Sequence, residues 1–171
     1  MIDVEMAASP FNHQGQPAVL IIARDITERK QVAEALRESE QKFRGFFEQS
    51  RDGLALTDDQ GAIIEWSSGA EHIWGVKREQ AVHQPIWDVL FQVTPADTQN
   101  TLSYEQIKAN TLELLQTGHM PSLLNRWVWR EVQRPDGTRR HVHSLMFAIK
   151  MEKGIFLGNI TRDITEQKHV E

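Results

Sequence analysis

The sequence predicts a mixed α+β domain between about residues 40 and 165, preceded by a long helix and followed by the start of another. Three observations carry this. Serine-led capping patterns, Ser68-Gly69-Ala70-Glu71 and Ser103-Tyr104-Glu105-Gln106, open helices in the middle of the chain. From residue 126 onward the apolar period changes to two, the repeat of a strand with one covered face. The phrase Arg-Asp-Ile-Thr-Glu occurs at 24–28 and again at 162–166, each time after an apolar run. The copies stand 138 residues apart, about one domain length, so the pattern reads as a repeated strand-to-helix junction in a tandem array.

Taken in order, residues 3–8 and 18–23 read as two strands joined by a polar turn at 12–17. A lone hairpin is marginal in water, so this pair reads as the tail of a preceding domain. Helical periodicity follows from residue 26 to about residue 49, where Val32, Leu36, Ser39, Phe43, Phe46 and Ser50 alternate four-and-three spacings. Such a helix spans about 35 Å. It reads as a dimer-forming linker, as an amphipathic helix folded onto its own domain, or as one half of each. Residues 54–57 and 62–66 flank the turn Asp58-Asp59-Gln60-Gly61. A short helix capped by Ser68 ends near Gly75, and further short helices fall at 77–81 and 86–90. A longer helix runs from Ser103 through Ile107, Thr111, Leu114 and Leu115 to Gly118. Strands follow at 126–134, 141–150 and 154–161, the first two turning at Pro135-Asp136-Gly137-Thr138.

Composition narrows the function. Hydrophobic residues at 40% and charged residues at 25% describe a globular chain. A net charge of −5 and the lack of a basic stripe argue against nucleic-acid binding. The absence of cysteine excludes disulfides, thiolate metal sites and thiol nucleophiles. No span-length apolar run and no signal-peptide order are present, giving the expectation of a cytoplasmic location. Neither a phosphate-binding glycine loop, nor HExxH, nor a kinase nucleotide motif, nor an activated Ser/His/Asp array occurs, so no enzyme activity is expected of these residues.

The run from Asp25 to Gly75, the turn RPDGTRR at 134–140 and the closing LGNITRDITEQK at 157–168 together resemble the PAS domains (S-box type) of multi-domain bacterial and archaeal sensor proteins, most often histidine kinases. The resemblance divides the chain into the last strands of a preceding PAS domain (1–25), a linker helix (26–50), a PAS domain (51–166) and the start of an outgoing helix (167–171). It implies a five-stranded antiparallel sheet of order 2-1-5-4-3, with helices on one face around a candidate ligand cavity. The function it implies is sensing or signal relay, with a ligand-free spacer as the alternative. The implied partners are a second copy, adjacent PAS and kinase domains, and a small-molecule ligand. Its signal junction falls on Asp163, Ile164, Thr165 and Glu166, with Asp25 and Thr27 as the earlier copy. Asp163 is expected to cap the outgoing helix or to pair with Arg130 or Arg139. Many members carry Asn where this chain has Ser67.

The residues expected to line the space between sheet and helices are Leu56, Ile64, Ile73, Trp74, Ile107, Leu114 and Leu145. The dimer helix is expected to present Val32, Leu36, Phe43 and Phe46. The cofactor is open: without cysteine the flavin-adduct class is excluded, and the helix 103–118 lacks the histidine that haem-binding relatives use. His119 reads as a polar loop residue. His141 and His143 share a strand face but lack a third ligand, so no metal site is expected. Trp127 and Trp129 share a face and read as core or helix-covered surface.

Overall fold

Gln14 and Gly15 both take positive φ, 52° and 81°, the geometry of a two-residue turn whose twist suits antiparallel strands. The computed structural model, which describes residues 1–99 and 102–168, uses that turn to join β1 (Val4–His13) to β2 (Gln16–Asp25). The strands are longer than expected because pairing continues through Asn12↔Pro17 and His13↔Gln16, into the stretch read as turn. Every side chain of β1 is exposed, and so are Val19, Leu20, Ile21 and Ile22 of β2. The hairpin and the first part of α1 (Thr27–Gln49) form one compact unit, residues 1–45.

The second unit begins at residue 46. Its sheet contains β3 (Gly53–Thr57), β4 (Ile63–Trp66), β5 (Trp127–Gln133), β6 (Arg139–Met151) and β7 (Gly154–Asp163). All neighbours are antiparallel, in the order β4-β3-β7-β6-β5. Counted within the unit, this is the expected 2-1-5-4-3. The pleat sends alternate residues to opposite faces. Ala55, Thr57, Val132, Val142, Ser144, Leu157 and Thr161 are buried on one face, against the helices.

The connecting helices are α2 (Ser68–Trp74), α3 (Arg78–Ala81), α4 (Ile86–Gln92) and α5 (Tyr104–Thr117), with α6 (Thr165–Lys168) leaving β7. The cap of α2 is Ser67, not Ser68. The Ser67 Oγ accepts from Ala70 N–H at 3.1 Å and from Leu54 N–H at 2.9 Å, so one buried hydroxyl starts the helix and ties it to β3. Both lone pairs of Ser67 are therefore committed to backbone. Gly69 lies so close to β3 that a Cβ there would stand 2.3 Å from the Asp52 carbonyl oxygen. Gly75 ends α2 at φ 71°, and the Arg134 guanidinium donates to the carbonyls of His72 and Ile73, the end groups a helix leaves unpaired. Ser103 and Gly118 bound α5 as expected.

The core packs Trp66 and Trp74 edge to face at 5.6 Å, with Ile63, Ile73, Val76, Val89, Leu114 and Leu157 around them. Trp66 Nε1 donates to the Val76 carbonyl at 3.0 Å, which lets the indole be fully buried without an orphaned donor. Among the described residues, no helix is long and apolar enough to cross a membrane.

Candidate functional site

The end of β7 and the start of α6 are joined by a local hydrogen-bond set. Asp163 Oδ1 accepts from Thr165 N–H at 2.9 Å and from Thr165 Oγ1 at 2.5 Å. Thr165 Oγ1 in turn accepts from His141 N–H at 3.0 Å, and Ile164 N–H donates to the His141 carbonyl at 2.9 Å. This is an Asp-x-Thr turn stitched to the first residues of β6, not the expected box between Asp163 and Glu166. The other carboxylate oxygen faces Arg140 Nη1 at 3.5 Å. Asp163 therefore pairs with Arg140 rather than with Arg130 or Arg139. Arg130 faces the helices, whereas Arg139 is held by Asp97 and Glu131, each at 3.1 Å.

The earlier copy repeats the set residue for residue. Asp25 Oδ1 accepts from Thr27 N–H at 2.9 Å and Thr27 Oγ1 at 2.6 Å; Thr27 Oγ1 accepts from Asp3 N–H at 2.9 Å; Ile26 N–H donates to the Asp3 carbonyl at 2.9 Å. The Thr27 bonds hold the Asp25 carboxyl below its ordinary range. The repetition extends along the strands. Val4↔Asp25 and His13↔Gln16 in the first hairpin match Val142↔Asp163 and Met151↔Gly154 in the second, each pair displaced by the same 138 positions. Beside the second junction, Arg51, His72, Ile73, Arg140, Asp163 and Glu166 surround a cleft of about 240 Å³.

A separate cavity of about 60 Å³ lies between α5 and the sheet, lined by Leu90, Leu102, Ile107, Asn110, Thr111, Leu114, Leu123, Arg130 and Met146. Of the residues expected here, Ile107 and Leu114 line it. Trp74 lines a smaller adjoining space, of about 20 Å³, with Leu90, Arg130 and Met146. Ile73 is buried in the core under α2. Leu56, Ile64 and Leu145 are corrections: they are only half-buried, in strands whose helix-facing positions are the neighbours Ala55, Thr57, Ile63 and Ser144. A one-residue step along a strand moves a side chain to the other face. Sequence reading missed Arg130, Asn110 and Met146, although the position of Arg130 between Val128 and Val132 in a period-two strand was a usable signal.

The opposite sheet face carries Trp127 and Trp129, which are 44% and 58% exposed and so are neither core nor helix-covered. His143 lies against both rings, at 5.0 and 4.8 Å, and His141 approaches Glu131 at 3.9 Å. His119 is exposed just past α5. Among the described residues, no three His, Asp or Glu side chains gather as a metal site. On α1, Val32, Leu36, Phe43 and Phe46 are between 49% and 76% exposed, and Phe47 is the buried residue of that helix.

A family model described as PAS domain matches residues 51–166. Over 71 residues, 42% of the chain, the sequence is 39% identical to sporulation kinase E of Bacillus subtilis (strain 168), a match that covers 10% of that protein. Among solved structures, the PAS domain of an HTR-like protein from Haloarcula marismortui superimposes with a TM-score of 0.58 at 20% identity, covering 79% of this chain and 99% of that one. The PAS domain of a Colwellia psychrerythraea protein gives 0.52 at 24% identity, covering 74% and 97%. At these identities the structural likeness speaks for the fold alone.

Proposed function

Since the chain belongs to the PAS domain family through residues 51–166, we propose that it is a signal-relay module that passes a change in its core to an output domain through the Asp163-Ile164-Thr165 junction. The observation that carries this reading is the duplicated junction: two distant stretches keep the same four hydrogen bonds and the same hairpin register. Residues 1–25 are then the last two strands of a preceding PAS unit, and residues 26–50 the helix that links it to the next. The likeness to sporulation kinase E supports a histidine kinase as the parent protein, with catalysis in a separate domain. The exposed stripe of Val32, Leu36 and Phe46 supports pairing of two copies along α1.

The mechanism follows from the bonds. Thr165 sits at the first turn of α6 and is bonded at once to β6, through His141, and to the end of β7, through Asp163. A shift of β7 against β6 alters both bonds together and re-aims the helix. The test fuses the 171-residue chain to a histidine kinase output module and measures phosphorylation. Asp163→Asn keeps an oxygen for Thr165 but loses the charge facing Arg140, whereas Asp163→Ala and Thr165→Val remove the turn. The expected result is altered output for Asp163→Ala and Thr165→Val in a protein that stays folded, and near-normal output for Asp163→Asn. Wild-type output from both turn-removing variants would reduce the junction to an ordinary helix start, worth about 0.5 to 2 kcal/mol.

A further inference from the structure

We propose that the cavity between α5 and the sheet takes a short aliphatic carboxylate, its charge held by Arg130 and its tail lying among Ile107, Leu114 and Met146. The proposal rests on reading the chain as a sensory module, and it supplies that reading with a ligand class. Arg130 lies on the helix-facing side of β5, between Val128 and Val132 and directly across from the fully buried Val142. Among the described residues its guanidinium faces no carboxylate, whereas Arg139, Arg140 and Arg162 of β6 and β7 each face one. Arg130 is half-buried, and that partial burial alone pushes its pKa below the ordinary arginine value. Taking a cation even partly out of water is unfavourable unless an anion and hydrogen bonds replace the solvent, so sheltered charges are normally paired.

The same cavity is lined by Asn110 of α5, whose side-chain amide can donate into it. Two sets of N–H donors therefore border one small space whose remaining walls are largely aliphatic. Guanidinium matches a planar carboxylate through two parallel bonds. About 60 Å³ holds roughly four to six water molecules, which suits an acid of about five carbons. Arg130 also borders an outer groove of about 430 Å³, formed with Thr94, Leu102 and Trp129, which offers a route by which a charged ligand enters.

The experiment uses the 171-residue protein, with titration calorimetry and thermal melting in sodium pentanoate, 1-pentanol or sodium phosphate, against sodium chloride at matched ionic strength. Pentanoate is expected to bind and raise Tm, with pentanol at least tenfold weaker and phosphate inactive. Arg130→Met is expected to weaken pentanoate by tenfold or more while melting higher than wild type without ligand. If that variant does not fold, two others decide: Arg130→Lys should keep the preference for pentanoate over pentanol, and Leu114→Phe, which fills the cavity, should abolish pentanoate binding. Equal binding of pentanol, phosphate matching pentanoate, no binding of pentanoate, or unchanged binding to Arg130→Met or Leu114→Phe would each overturn the proposal. Such a failure leaves the relay reading standing, because that is judged by the output of Asp163→Ala; altered relay with pentanoate binding intact separates them in the other direction.

Discussion

Single polar side chains hold the turns of this molecule together. Ser67 is the clearest: its hydroxyl accepts from two backbone N–H groups at full burial, one in α2 and one in β3. Ser67→Ala should cost about 0.5 to 2 kcal/mol, toward the upper end because two donors lose their acceptor, and urea unfolding would measure it. Glu71 acts similarly at the α2–α3 corner. Its carboxylate accepts from Arg78 N–H at 2.6 Å and from Lys77 Nζ at 3.3 Å. The Arg78 bond, ahead of the Lys77 contact, holds Glu71 below its ordinary value of 4.5, against a smaller opposing effect of burial. Because the folded pKa is the lower one, this stabilisation is full above pH 4.5 and is lost as pH falls through the folded value. Urea midpoints taken on either side of that pH should therefore fall less steeply with acid for Glu71→Gln than for wild type; parallel curves would remove Glu71 from the acid response.

At the scale of elements, two packing facts have consequences. The approach of α2 to β3 leaves no room at Gly69, where an added methyl meets the Asp52 backbone rather than a movable side chain. Gly69→Ala should destabilise by about 1 to 3 kcal/mol, whereas Gly45→Ala, with nothing within 4 Å, should be neutral or slightly stabilising through helix propensity. Thermal melts of the two variants give the comparison. The second fact is the exposed stripe of α1. A helix that keeps Val32, Leu36 and Phe46 in water has a face suited to another helix. Leu36→Glu combined with Phe46→Glu should convert a dimer to monomers by light scattering, and an unchanged mass would move the interface off α1.

For the whole molecule, the division at residue 45 predicts separable behaviour. The β1–β2 hairpin has its own turn and register but little burial. Removing residues 1–25 should leave the Tm of the PAS domain unchanged within about 2 °C; a larger drop would make the hairpin part of that domain's stability. Repetition at 138 residues also sets a geometric rule for the proposed relay. If every unit ends in the same stitched Asp-x-Thr turn, each hands on its helix from the same pair of strands, and a strand shift in one unit reaches the next as a helix movement.

Element order, the caps at Ser103 and Gly118, and the repeated junction are legible in the amino-acid order alone, because these depend on residues within a few positions of one another. Periodicity and turn chemistry are local, and they carry through to the fold. Strand pairing across the sheet settles which side of each strand meets the helices and which charges find partners. Leu56, Ile64 and Leu145 went to the far face through one-residue differences in strand phase, which local composition does not encode. The exchange of Arg130 or Arg139 for Arg140 at Asp163 has the same origin. These three arginines look alike in sequence, but the pleat sends Arg130 inward, while Arg139 reaches Asp97, 42 positions away, and Arg140 is left beside the junction. A side chain's partner is fixed by strand pairing over long sequence separations, and that pairing exists only once the sheet has formed.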